Sequence, residues 1–141
     1  MRDLHNNIHV ARAISPVSVS DTTAQVSQII DRQGYQSLEF LIAIGSVADA
    51  DATFVVLVED GDDSDLVDDG AAVTDANLLG TEVLAGFQYD DDNEVRKIGY
   101  IGDKRYVRLT ITPVNNASAA VIAAVAVLGH PNYTPTINPP V

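Results

Sequence analysis

The chain has 141 residues, 20 acidic and 8 basic, with a formal net charge of −12 and no cysteine. That length suits one domain with a core of its own, and the missing thiols exclude disulfides, thiol nucleophiles and thiolate metal sites. A surface this acidic repels phosphate backbones, so nucleic acid is not an expected partner. "MRDLHNNIHV" lacks the apolar run of a secretory signal, and no apolar stretch is long enough to span a bilayer, so no membrane association is expected.

Period-two alternation dominates from the start. Asn7–Ile14 reads as a strand, and residues 1–14 as an N-terminal arm or edge strand. Ala24–Asp31 reads as another strand, followed by Gly34 in "DRQGYQS", a hairpin-like turn. In "SLEFLIAI", Leu38, Phe40, Ile42 and Ile44 share a face, and in "TFVVLVE" both faces are apolar. A long acidic loop spans Asp60 to Asn77 and a shorter one Tyr89 to Glu94. "KRYVRLTIT" puts Arg105, Val107, Leu109 and Ile111 on one face and Lys104, Tyr106, Arg108, Thr110 and Thr112 on the other. "SAAVIAAVAVL", Ser118 to Leu128, is rich in helix-favouring alanine. Its β-branched residues and its lack of a polar face instead predict a strand buried on both sides. The tail "GHPNYTPTINPPV" carries four prolines and reads as an extended arm rather than a central strand. The expected architecture is all-β: an antiparallel, jelly-roll-like β-sandwich over residues 15–130, with a Pro-rich C-terminal arm at 131–141.

Charge is distributed unevenly. From Asp49 to Glu94 there are fifteen acidic residues and no Lys or Arg, whereas five of the eight basic residues (Arg96, Lys97, Lys104, Arg105 and Arg108) fall within thirteen positions. "DGDDSDLVDDGA", Asp60 to Ala71, superficially resembles a calcium loop. An EF-hand, however, needs Gly at its sixth position and Glu at its twelfth, which here are Asp65 and Ala71. Asp62, Asp63, Asp65, Asp68 and Asp69 are the weak candidates for a looser cation site, against the simpler reading of a solvated acidic loop. His5 and His9 have i,i+4 spacing but lack the glutamate of an "HExxH" pair. There is no "GxSxG", P-loop or "GxGxxG", and no Trp to stack a sugar, so no catalytic or cofactor site is expected and the chain reads as a non-enzyme. Two readings of the basic strand are favoured together: its cations pair with carboxylates across strands, and they form a contact between subunits.

Three stretches carry a resemblance. "IDRQGYQSLEFLIAIG", "IGYIGDKRYVRLTITP" and "AVAVLGHP" resemble, in the same order, segments of the head-decoration (cement) proteins of tailed bacteriophages. The resemblance implies a jelly-roll-like sandwich on the outer surface of the virion capsid. It would be made in the host cytoplasm, act as a dimer or trimer, bridge major capsid protein subunits, and bring no catalytic residues. Lys104, Arg105, Tyr106, Arg108, His130, Pro131, Tyr133 and Ile137 are then the candidate capsid or subunit contacts, on the basic strand and the tail. Two other roles fit the same sequence: a calcium-dependent carbohydrate- or receptor-binding β-sandwich, and a tail or neck component of the virion.

Overall fold

Side chains that alternate between apolar and polar need two opposed sheets to bury one face of each strand. The computed structural model describes residues 2–140, and it arranges the chain in this way. The elements are β1 (Ile8–Val19), β2 (Gln25–Val26), β3 (Ile30–Asp31), β4 (Tyr35–Val47), β5 (Thr53–Gly61), β6 (Ala71–Ala72), β7 (Leu78–Leu79), α1 (Glu82–Ala85), β8 (Phe87–Gln88), β9 (Val95–Tyr100), β10 (Tyr106–Val114) and β11 (Ala120–Pro131). The first sheet has the order β1-β11-β4-β9-β7; in the second, β2, β10, β5 and β6 are neighbours, with β3 also on β10 and β8 also on β5. All pairings are antiparallel. If β2/β3 and β6/β8 are each taken as one interrupted strand and the short β7 is set aside, the eight positions follow the jelly-roll order. This is a β-sandwich closed by crossovers between sheets.

The core lies between the sheets. Phe40, Ile42, Ile98, Ile122 and Leu128 from the first face Val56, Val58, Val107, Leu109 and Ile111 from the second, each no more than 2% exposed. Burying each such side chain contributes about 1.5–3 kcal/mol. The β-branched and aromatic residues that mark these segments as strands are the residues that fill this layer.

The structure departs from the sequence-based expectations at particular points. Ala24–Asp31 is not one strand. It breaks at Ser27, whose amide bonds Leu109 O at 2.8 Å and whose hydroxyl accepts the Leu109 amide at 2.9 Å. The next amide, Gln28, reaches β1 at Ala13 O, so this segment bridges the edges of both sheets. Gly34 (φ +90°) turns the chain, but β3 pairs with β10 and β4 with β11 and β9, so the turn is a crossover between sheets and not a hairpin. β1 runs through the expected boundary at residue 14 to Val19, with irregular register on either side of Ile14. β11 is a strand, and a central one, but only one of its faces is buried. Ala120, Ile122, Ala124, Ala126 and Leu128 point inward, while Val121 and Val125 are 39% and 41% exposed, because among the described residues no layer covers them on the first sheet's outer side. β11 also continues through Gly129, His130 and Pro131, the last paired with Tyr35, so the tail leaves the sheet later than expected. Beyond it the tail folds back on its own chain. Asn132 N bonds Gly34 O, Thr136 N bonds Asn6 O, and the Thr136 hydroxyl donates to Ile8 O at 2.6 Å, beside the free edge of β1.

Candidate binding surfaces

The basic strand is built by β10 and the loop before it. Arg108 stands on the outer face of the second sheet directly opposite Glu59 of β5, and its guanidinium donates twice to that carboxylate, at 3.1 and 2.8 Å. Arg105 forms a two-pronged pair with Asp31 at 2.9 and 2.8 Å, adds Gln33 at 2.6 Å, and lies over the Tyr106 ring. Lys104 reaches Asp62 at 2.6 Å, and Arg96 pairs with Asp91 and Glu94. The pairing depresses the Asp31 and Asp62 carboxyls below their usual range, chiefly through the hydrogen bonds from Arg105 and Lys104. The gathered positive charge is thus largely met within the chain, by carboxylates that β3, β5 and the acidic loop bring alongside.

The acidic loop is organised by its own backbone. Asp69 accepts the amides of Asp62 (2.6 Å) and Asp63, Asp65 accepts that of Val67, and Leu66 is buried at φ +54°. Asp63 has its carboxyl raised, first by desolvation and then by the neighbouring Asp65. Asp68 belongs to the same loop. Among the described residues, no three His, Cys, Asp or Glu are grouped so as to hold a metal ion.

A second surface lies on the first sheet. A groove of about 610 Å³ opens on its outer side, lined by Leu4, Glu39, Leu79, Val127, His130 and Pro131 among others. His130, at φ +50°, meets the Ser37 hydroxyl through Nδ1 at 2.8 Å. Two further candidates, Tyr133 and Ile137, project from the folded-back tail at 88% and 62% exposure. The eight candidate contact residues therefore divide into a charge-neutralised group on the second sheet (Lys104, Arg105, Tyr106 and Arg108) and a less polar group by the groove and tail. Glu39 and Lys97 are not among the candidate contacts that the sequence suggested, although Lys97 belongs to its basic cluster. Glu39 lies flat over Gly99, where a Cβ would come within 2.6 Å of its carboxylate, and burial raises its pKa while Lys97 opposes the rise. The signal was present in "SLEFLIAI", where the second face carries Leu41 and Ala43 around Glu39.

At the end shared by the two sheets, Tyr100 of β9 ties them together. Its hydroxyl donates to Asp60 of β5 at 2.6 Å and accepts the Lys104 amide at 3.1 Å. Arg32 covers the ring at 4.7 Å and donates to the Gly102 and Lys104 carbonyls. Burial, and then Asp60, holds the phenol well above the usual tyrosine range.

No family model and no curated protein matches this sequence. Likeness in fold is found among solved structures. The PBSX exported protein XepA shares 10% identity at a TM-score of 0.58; the match covers 92% of this chain and 39% of that one, so this chain spans well under half of the XepA length. A chain of the capsid of Ralstonia phage GP4 shares 10% identity at a TM-score of 0.51, with 92% of this chain and 88% of that chain covered. The CBM22-1–GH10 modules of Clostridium thermocellum xylanase 10B give a TM-score of 0.46 at 10% identity, covering 95% of this chain and 28% of that one.

Proposed function

We propose that this chain is a structural, non-enzymatic protein of a phage head, which binds the outer surface of the capsid and stabilises contacts between major capsid protein subunits. The observation that carries this reading is the whole-chain likeness in fold to a chain of the Ralstonia phage GP4 capsid, which covers nearly all of both chains. The three sequence stretches that resemble cement proteins support it: they fall on β3–β4, β9–β10 and β11, the framework of the sandwich. The folded-back tail, with His130 and Pro131 at its root and the exposed Tyr133 and Ile137, supplies the proposed shell contacts, since Tyr133 and Ile137 are apolar and accessible. Repeated copies on a symmetric shell make weak individual contacts sufficient.

The test is to compare particles assembled with and without this chain, by image reconstruction and by heating. The reading expects many symmetric copies on the outer shell and earlier rupture of particles that lack them. Tyr133→Ala with Ile137→Ala should lower occupancy. Particles of equal heat resistance, or copies confined to a single vertex, would overturn it.

A further inference from the structure

The outer face of the first sheet is an apolar surface on a strongly acidic chain. Val121, Val125 and Val127 of β11, Leu41 and Ala43 of β4, and Val95 of β9 point outward from it. The long acidic loop follows β5 of the second sheet, while the shorter one, Tyr89–Glu94, leads into β9 at one end of this sheet, where Asp91 and Glu94 are met by Arg96. Arg12, on the β1 edge of this face, is already engaged by Ser15 and Gln28. Near its middle stand one anion and one cation. Glu39 lies opposite Gly99, and Lys97, two residues away on the neighbouring strand, lies opposite Leu41. Among the described residues the ion pairs are those of Arg96, Lys104, Arg105 and Arg108, so neither Glu39 nor Lys97 is in one.

We propose that this face is where two copies of the chain pair, sheet against sheet, about a two-fold axis. A two-fold contact uses the same patch twice and must be complementary to itself. With the axis in the plane of contact, between the two charged side chains, each Glu39 meets the second copy's Lys97, so both charges are neutralised as the valines and alanines pack. The basic strand suits this role less well, because its cations are already met by Glu59, Asp31 and Asp62. The area is sufficient. Four strands about 4.8 Å apart, over about eight residues of about 3.4 Å, give roughly 500 Å² in projection per copy, which matches the roughly 1,000 Å² in total that a specific interface requires. Ala43, Ala123 and Gly99 keep the face low, as close sheet packing requires.

Sedimentation equilibrium of the isolated chain tests this independently of any capsid. Wild type is expected to double in mass with rising concentration, with dimer formed by about 100 μM. Val125→Glu should abolish the dimer. Glu39→Lys and Lys97→Glu should each weaken it about tenfold, and the double exchange should restore most of the loss. The two charge exchanges sit on the sheet's outer face, so they keep the test decisive should Val125→Glu fail to fold by circular dichroism. A chain that stays monomeric, a trimer, a dimer indifferent to these changes, or a double exchange no better than the singles would each overturn the proposal.

Discussion

Replacing Tyr100 by Phe removes one oxygen from the place where the two sheets are joined. Tyr100 is 1% exposed and its hydroxyl has two partners, the Asp60 carboxylate and the Lys104 amide. Phe keeps the ring, its packing and the Arg32 stack, so the change isolates the hydroxyl. A hydrogen bond to a charged group contributes about 1.5–3 kcal/mol, and the loss is felt in full when the partners stay buried without a substitute. Expected destabilisation is therefore about 2 kcal/mol. Urea unfolding should show a lower midpoint with an unchanged slope, since the surface exposed on unfolding is the same. In a thermal scan, about 2–4 °C per kcal/mol gives a Tm lower by about 4–8 °C. Gly102→Ala should act in the same direction, because its Cβ would overlap the same hydroxyl and the ring edge. A Tyr100→Phe protein within about 0.5 kcal/mol of the parent would refute the reasoning: the hydroxyl would then be exchanging protein partners for water at no loss.

Arg108→Ala should cost no more than about 1 kcal/mol, and less in high salt, because Arg108 and Glu59 are partly exposed cross-strand partners; urea midpoints at low and high ionic strength would check this. Asp31 carries a pH signature. Its folded pKa lies below the ordinary value, so its contribution is present above the unfolded carboxyl's pKa near 3.8 and is lost as pH falls through the depressed folded value. The stability gap between wild type and Asp31→Asn should be constant at neutral pH and close only in strong acid, as followed by urea unfolding across the pH range.

Strand identity was legible from local rules. Alternation in "SLEFLIAI", "TFVVLVE" and "KRYVRLTIT" fixes which residues point the same way, and β-branched side chains in "AVIAAVAVL" outweigh alanine's helical preference, because that pattern offers a helix no polar face. The charge asymmetry was legible too, including the reading that cations pair with carboxylates across strands. What period two cannot state is whether a second layer covers a given face. Both faces of β11 are apolar, and only the stacking of the two sheets decides that one is core and the other open. Partners distant in sequence were equally out of reach: Tyr100 with Asp60, Arg105 with Asp31, Arg108 with Glu59. Each pair is set by strand order and register, which depend on crossovers between sheets rather than on neighbouring residues. The sequence by itself determined the long strands β4, β5, β10 and β11, the alternation of their side chains and the sign of the surface, but not the break of Ala24–Asp31 at Ser27 or the short β6 within the acidic stretch. The tertiary structure alone decided which faces meet and which charges are left without a partner, because a strand's periodicity is a local property whereas its cover and its ion partners come from chain segments tens of residues away.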